Sequence, residues 1–386
     1  MTVRAISLFS GAGGMDLGFR RAGVEVVWAN DFNRAACETY RANFGDEIRC
    51  GSLMDFGYAQ LPDCELVFGG PPCQGFSVAG KMDPDDPRSR LVFEFQKVVA
   101  AKRPRVFVME NVAALGRLAK FEAVRRRLLA GYRRLGYSVR FEILDSQHYS
   151  TPQRRERLIM IGTTEPSAQI RFPERQSGII TARQVLLPFD EPGTGNNQGV
   201  CEARITLAKK PVLRASPYAG MLFNGLGRPI DLSRPCQTLP ASMGGNKTPI
   251  IDARLLRDEH APDWLANLHR RIVKGALGPS TKVPPFMRRL TVSEAAALQG
   301  FPPDFVFCGS QCEKFRQIGN SVPPPFAEHV ARAAVAIRGR PLHLPNSSAL
   351  SRVSNMSSAL VSAPKLELLI NPVKGMPPAN SISRIT

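Results

Sequence analysis

The sequence predicts an α/β protein: a doubly wound, mostly parallel sheet carrying a loop-rich segment inserted near its C-terminus. Three observations carry that prediction. From residue 4 to about 163, short apolar runs alternate with stretches of helical periodicity. A glycine cluster follows the first of those runs directly. Beyond residue 165 the rhythm breaks down and Gly, Pro, Asn and Ser become frequent, until helical order returns at residue 290.

Taken in order, strands are expected at residues 5–9, 25–29, 66–69, 106–110, 138–144 and 158–163, each a short apolar run of strand length. Helices are expected between them at 15–22, 34–43, 90–102 and 120–135. After the irregular region, Leu290-Thr291-Val292-Ser293-Glu294-Ala295 reads as a capped helix start, the helix running to about 301. A last helix at 325–338 follows the turn Gly319-Asn320-Ser321-Val322-Pro323. From residue 339 the chain is rich in Ser, Pro and Asn with Glu367 as its single acidic residue, the composition of a flexible tail. The expected organisation is therefore a sheet domain of residues 1–165 completed by 288–338, an insertion at 166–287, and a tail at 339–386.

Bulk composition narrows the function. With 386 residues, 43% hydrophobic and 22% charged, the chain has the make-up of a soluble globular protein. No apolar run approaches the 18 or so residues of a membrane span, and the N-terminus leads straight into a strand, so a cytoplasmic protein is expected. The formal charge is +18, from 51 Lys and Arg against 33 Asp and Glu. About half of it falls in residues 166–290, with 18 basic against 9 acidic side chains. A field of that sign attracts polyanions, and nucleic acid is the expected partner. A membrane surface is disfavoured because no strongly amphipathic basic helix stands out. The eight cysteines, at 37, 50, 64, 73, 201, 236, 308 and 312, form no C-x-x-C pair; Cys308 and Cys312 lack a second half-site, so no metal is expected.

Two regions carry candidate chemistry. At the first, the strand at 5–9 runs into Ser10-Gly11-Ala12-Gly13-Gly14, where glycines let a backbone approach a ligand at a helix N-terminus. Asp31 follows Gly11 by 20 residues at the end of the second strand, where a carboxylate can take the hydroxyls of a ribose. The spacing Gly-x-Gly-Gly-x-x-x-Gly departs from the dinucleotide fingerprint, which weakens a nicotinamide-dependent dehydrogenase but still seats an adenosyl group.

At the second, Gly69-Gly70-Pro71-Pro72-Cys73-Gln74-Gly75-Phe76-Ser77 places a cysteine after two prolines at the carboxyl end of a strand. A buried inert thiol gains nothing from such a rigid turn, which favours a nucleophile. Glu110, in Glu110-Asn111-Val112, ends another strand facing the same crevice, unless Asn111 merely caps a helix there. Gln153-Arg154-Arg155-Glu156-Arg157 then precedes a strand, either as a solvated charge cluster or as a clamp on an anion or carboxylate.

On these residues the chain resembles the DNA (cytosine-5) methyltransferase family, of the bacterial restriction-modification type, over about residues 3–338. Phe9-Ser10-Gly11-Ala12-Gly13-Gly14 is similar to its first motif, Pro71-Pro72-Cys73-Gln74 to its nucleophile motif, and Glu110-Asn111-Val112 to its acid motif. Gln153 to Arg157 is similar to its basic motif. Arg288-Arg289-Leu290-Thr291, Gln299-Gly300-Phe301-Pro302 and Gly319-Asn320-Ser321-Val322-Pro323 match its closing segments.

The resemblance implies a Rossmann-like domain that binds S-adenosylmethionine, yields S-adenosylhomocysteine and needs no metal. It implies that the Cys73 thiolate adds to C6 of a flipped cytosine, with Glu110 bonding the pyrimidine edge and Arg157 and Arg155 orienting it. Phe9, Gly11, Ala12, Gly13, Gly70 and Pro72 would flank the cofactor. Asp31 would bind its ribose and Phe32 stack near its adenine, while Asn320 and Ser321 close the site from the C-terminal side. Ser52 and Leu53 stand where many members carry an adenine-contacting Asp, so Ser52 or Asp55 must substitute. Ala79 replaces a polar residue that some members use to expel the base.

For DNA, the resemblance assigns the insertion, 166–287, to target recognition in the major groove. Gln74, Ser77, Lys81 and Arg88 lie on the loop after Cys73, and its Lys and Arg suit phosphate contacts. Gly244, Gly245, Asn246 and Lys247 form the best candidate for a base-contacting loop, with Arg228 and Arg234 behind them. The expected partner is double-stranded DNA, the expected state a monomer that works alongside a restriction endonuclease without a stable complex. A tRNA-directed member would have a smaller recognition region. A catalytically dead scaffold would not keep Cys73, Glu110 and Arg157.

Overall fold

Alternation of side chains along the strands decides which helices each face of the sheet receives. The computed structural model describes residues 2–72, 90–165, 169–276 and 282–337. Its strands are β1 (Val3–Leu8), β2 (Val24–Asp31), β3 (Ile48–Cys50), β4 (Leu66–Gly69), β5 (Val106–Val112), β6 (Ser138–Asp145), β7 (Gln153–Arg154) and β8 (Glu156–Thr163). Seven of them form one sheet in the order β3-β2-β1-β4-β5-β8-β6. β3 to β5 are parallel neighbours, whereas β8 runs antiparallel to both β5 and β6.

The helices of this part are α1 (Gly14–Arg21), α2 (Arg34–Phe44), α3 (Leu91–Lys102), α4 (Ala113–Arg117) and α5 (Glu122–Arg134). Val3 and Ala5 of β1, with Val106 and Val108 of β5, enter an apolar cluster with Met15 and Phe19 of α1 and Tyr40 of α2. Their neighbours Ile6, Leu8, Phe107 and Met109 enter the opposite cluster, with Phe95 of α3, Leu115 of α4 and Tyr132 of α5. This is the doubly wound, mostly parallel α/β sheet read from the sequence, with all six expected strands present.

Two boundaries differ from the expectation. β3 escapes prediction because only Ile48 of its three residues is buried, too short a pattern to show a period. β5 continues through Asn111 and Val112, which pair with Leu158 and Arg157, so Glu110 sits inside the strand rather than at its tip.

The irregular region holds α6 (Ala182–Leu186), β9 (Leu207–Val212), β10 (Met221–Phe223), β11 (Cys236–Gln237), β12 (Ile250–Asp252), α7 (Ala253–Arg257) and α8 (Trp264–Val273). β13 (Met287–Arg289), α9 (Val292–Gln299), α10 (Gln311–Asn320) and α11 (Pro324–Ala336) follow. β11 pairs in parallel with β7, and the Cys236 amide donates to Pro152 O at 2.9 Å. Leu186, Ile230, Leu239 and Leu256 share an apolar cluster with Leu290, Leu298, Phe315 and Ile318. α9 has the expected capping box, Thr291 with Glu294. α10 extends through Asn320, with Ser321 as its cap, so the turn read at 319–323 begins two residues late. α11 then crosses α1 so closely that a Cβ on Gly18 would lie 2.5 Å from Pro324 O.

α8 corrects one premise of the sequence reading. It is a basic amphipathic helix, capped by Asp263, with Arg270 and Arg271 in its last turn. Its ten residues are too few for the pattern to stand out in a loop-rich context. Leu265 and Leu268 are covered by Leu222 and Ile250, so its apolar face is occupied by protein. Among the described residues, no helix is long and apolar enough to cross a membrane.

Behind the first glycine loop, Asp16 of α1 is buried and accepts the Tyr40 hydroxyl at 2.9 Å. Burial pushes its carboxyl up to about 6, against the opposing influence of Ser7, Tyr40 and Arg20. A folded-state pKa above the unfolded one favours the fold below about 4 and loses that contribution as pH rises through about 6. Asp16→Asn is therefore expected to raise the melting temperature at pH 8 and to change it little at pH 4, read by thermal melts at the two pH values.

Candidate active site

Strand register lines up the candidate residues in one row. Leu8 of β1 pairs with Asn30 of β2 and with Gly69 of β4, and Gly69 pairs with Met109 of β5. The next residue of each chain segment is Asp31, Phe9, Gly70 and Glu110, with Phe9 and Gly70 just past the ends of β1 and β4, so the four form a row at the carboxyl edge. At about 4.8 Å per strand the row spans about 14 Å. It crosses the point between β1 and β4 where strand order reverses, the position at which open α/β sheets form their crevice.

Glu110 holds one end. The antiparallel β8 sets Arg157 opposite Val112, and Arg157 Nε lies 2.8 Å from Glu110 Oε1. Both side chains are largely buried, at 14% and 11% exposed. Burial raises the Glu110 carboxyl above its ordinary range, while Arg157 and Arg155 draw it back down. Gly70 backs directly onto it: a Cβ there would lie 2.9 Å from Glu110 Oε2. The result is a fixed carboxyl that holds a proton more readily than a solvated one.

Asn111 does not cap a helix, since α4 takes Val112 as its N-cap. It is 1% exposed, and its Nδ2 donates to Pro71 O at 3.1 Å. That bond fixes the first proline of the Pro71-Pro72 step to β5. Pro72 is half-buried. Cys73, Gln74, Ser77, Ala79, Lys81 and Arg88 lie outside the described residues.

The basic segment is not a solvated cluster. Gln153 and Arg155 are buried and Arg157 nearly so, whereas Arg154 and Glu156 turn outward to Asp145 and Arg117. Arg155 donates to Leu239 O at 3.2 Å and to Gly319 O at 2.9 Å. Gln153 Nε2 donates to Gln299 Oε1 at 2.6 Å, and its Oε1 receives the Leu239 amide at 3.2 Å. Arg155 thus ties the insertion and α10 to the sheet, a role the sequence reading missed. Its signal was the period of two along 153, 155 and 157.

At the other end, Asp31 receives the amides of Gly11 on Oδ2 and Asn33 on Oδ1, each at 2.8 Å. Burial raises its carboxyl, opposed by those amides. Phe32 beside it is 67% exposed, an unusual position for a large apolar ring. Phe9 adopts a left-handed φ of 55°, a strained conformation for an aromatic residue. Gly11, at φ 56°, faces open space where a Cβ would meet nothing within 4 Å. Gly13 packs against Phe44 and Gly14 against Val322 O, so only part of the glycine cluster is free for a ligand. Ala12 is buried in the cluster shared with α9 and α10.

Ser52 uses its hydroxyl to cap a short 3-10 turn at the Met54 amide, 3.3 Å away, and Leu53 is buried. Ser321 donates to Gln317 O at 2.7 Å and lies against Gly14, while Asn320 is exposed. The C-terminal segment thus meets the glycine loop.

In the insertion, Gly244 packs on Cys312 and Gly245 faces open space, whereas Asn246 and Lys247 are exposed. This turn interlocks with a second one, Asn224-Gly225-Leu226-Gly227-Arg228: Asn224 Nδ2 donates to Asn246 Oδ1 at 3.3 Å. Arg228 is exposed there, while Arg234 lies 3.6 Å from Asp231 in an ion pair. Among the described residues, no three His, Cys, Asp or Glu side chains gather as a metal site.

Comparison with known proteins places this arrangement. A family model described as C-5 cytosine-specific DNA methylase matches residues 3–336. The chain is 32% identical over 348 residues to the Type II methyltransferase M.NgoFVII of Neisseria gonorrhoeae, covering 86% of this chain and 87% of that one. It is also 32% identical to the Type II methyltransferase M1.HphI of Haemophilus parahaemolyticus, covering 87% of each. Among solved structures, the Dnmt2 methyltransferase of S. pombe aligns with a TM-score of 0.58 at 18% identity, over 88% of this chain and 100% of that one. The methyltransferase EhMeth of Entamoeba histolytica aligns with a TM-score of 0.61 at 16% identity, over 87% and 98%. These two share the fold.

Removing one partner of a buried ion pair strands the other. Arg157→Met is expected to cost about 3 kcal/mol of stability at pH 8. The Glu110 carboxyl, raised further, then takes up a proton as pH falls, so the loss should be smaller at pH 5. Urea midpoints at the two pH values measure the difference.

Proposed function

The chain belongs to the C-5 cytosine-specific DNA methylase family, and from that premise we propose that it transfers the methyl group of S-adenosylmethionine to C5 of a cytosine flipped out of a specific duplex DNA sequence. Relatives of the chain are Type II methyltransferases, and the proposed role is protection of host DNA from a cognate endonuclease. The observation that carries the reading is the row Asp31–Phe9–Gly70–Glu110, from which Pro71 and Pro72 follow, with Cys73 next in the sequence.

The residues present fit an adenosyl cofactor. Asp31, its two oxygens oriented by backbone amides, keeps lone pairs for ribose hydroxyls. Phe32 offers an exposed ring to an adenine, and Gly11 opens onto space a ligand can enter. Phe9, Ala12, Gly13, Ser52, Leu53, Gly70, Pro72, Asn320 and Ser321 complete the proposed cofactor shell. When bound, the cofactor supplies an electrophilic methyl group on a sulfonium sulfur.

C5 of cytosine is a weak nucleophile, and addition at C6 makes it enamine-like. Cys73 forms that bond as thiolate. Glu110, inclined to hold a proton, bonds the N3 and amino edge and stabilises the charge that builds on addition. Arg157 keeps the carboxyl aimed, and Arg155 keeps the recognition segment against it. After C5 takes the methyl group, loss of its proton and departure of the Cys73 thiolate restore the aromatic ring.

The proposed division gives residues 1–165 and 288–338 to catalysis and 166–287 to target recognition. Gln74, Ser77, Lys81 and Arg88 would contact DNA beside the flipped base. Arg228, Arg234 and Gly244 to Lys247 would contact it through the insertion. A cytoplasmic monomer acting alongside an endonuclease completes the reading. Labelled methyl groups should pass from S-adenosylmethionine to duplex DNA and not to tRNA. Cys73→Ala should abolish transfer, and Glu110→Gln should lower kcat by about a hundred-fold or more. Transfer retained in Cys73→Ala would refute the mechanism.

A further inference from the structure

We infer that Asn246 and Leu226 together read a thymine of the target sequence, Asn246 through the O4 oxygen and Leu226 through the 5-methyl group. The inference rests on the proposed methylation of duplex DNA and adds the identity of one base.

The orientation of the Asn246 amide follows from a chain of bonds that begins at Arg289. This guanidinium is 3% exposed and donates to Ala203 O at 2.9 Å, Thr248 O at 2.7 Å and Asn224 Oδ1 at 3.2 Å. Asn224 Oδ1 also receives the Thr206 amide at 3.1 Å. Both partners can only donate, so that end of Asn224 is its oxygen. Its amino end therefore donates, to Arg204 O at 2.9 Å and to Asn246 Oδ1 at 3.3 Å. With its oxygen engaged, Asn246 has its amino group left to donate, and the residue is exposed. What it offers a base is a donor.

Leu226 supplies the second half. A Cβ on Gly225 would collide with the Cβ of Asn246, so the two turns are interlocked and Leu226 follows at the contact. Leu226 is 59% exposed and has a left-handed φ of 66°, where glycine or asparagine is the ordinary occupant. Among the described residues, no apolar cluster includes it. An apolar side chain held in strain and out of the core suits contact with a partner. Arg228 and Lys247 stand exposed on the same two turns, placed for phosphates.

In the major groove, a hydrogen-bond acceptor beside a methyl group belongs to thymine alone. Guanine shows two acceptors and no methyl. Cytosine shows an amino donor, which would face the Asn246 donor. Adenine shows N7 and an amino group and nothing for Leu226 to cover. Thymine matches both side chains.

Bisulfite sequencing of DNA from cells expressing the full chain gives the target, and synthetic duplexes carrying it serve as substrates. Each thymine is replaced in turn by deoxyuridine, which removes only the methyl group. One position should lower kcat/KM about four-fold in the wild type and leave Leu226→Ala unaffected, a variant with the same backbone demand. Asn246→Ala should lower kcat/KM on the intact target about five-fold. A target with no invariant T·A pair, or an equal deoxyuridine penalty with and without Leu226, would overturn the inference and leave the methyltransferase reading standing. Absence of methylated cytosine altogether would overturn both.

Discussion

A carboxylate withdrawn from water must be paired or protonated, and the pairing of Glu110 with Arg157 organises the β5–β8 side of the sheet's carboxyl edge. A strand parallel to β5 would send its side chains along with those of Glu110 and would follow a crossover helix. β8 runs the other way, entering from the carboxyl edge, and so delivers Arg157 to Glu110 at its first turn of alternation. The same entry strand carries Arg155 and Gln153 on the buried side, where they bind Leu239, Gly319 and Gln299. One short segment therefore neutralises the acid and ties both the irregular region, at Leu239, and α10, at Gly319, to the sheet. A loss of alignment there would reach all three.

The remainder of the site follows from sheet register. Asp31 and Glu110 lie in β2 and β5, while Phe9 and Gly70 follow β1 and β4 directly, so the pairing of the four strands brings them to one edge. Asp31 at one end and Glu110 at the other, about 14 Å apart, would leave room in the proposed reaction for a cofactor and a base to meet between them. Gly70 is small because Glu110 is its neighbour, and Asn111 reaches back to Pro71 so that the Pro-Pro step leaves the sheet in one direction. Cooperation between the two ends is built into the strand order.

Much of this was legible in the sequence, and for physical reasons. Strands buried on both faces read as continuous apolar runs, so the central ones could be placed, while the edge strand β6 is only partly buried; capping chemistry located α9. A site at a strand end, such as Asp31, follows from placing the strand, and Glu110 was found two residues short of the end of β5. β3 was hidden because one buried residue makes no pattern, and α8 because ten residues in loop-rich surroundings do not announce a helix. The buried roles of Gln153 and Arg155, and the bond from Arg289 to Asn224, were invisible for another reason. Their partners are backbone groups and side chains 65 to 164 residues away, and a single sequence carries no trace of such contacts.

In the proposed mechanism, Cys73, which follows Pro71 and Pro72 in the sequence, bonds covalently to a cytosine during methyl transfer. Duplex DNA substituted with 5-fluorocytosine tests it directly, because fluorine cannot leave as a proton does and the enzyme remains attached. With S-adenosylmethionine present, digestion and mass spectrometry should find one nucleotide, methylated at C5, on the peptide containing Cys73. No adduct, or an adduct on any of the other cysteines, would contradict the account.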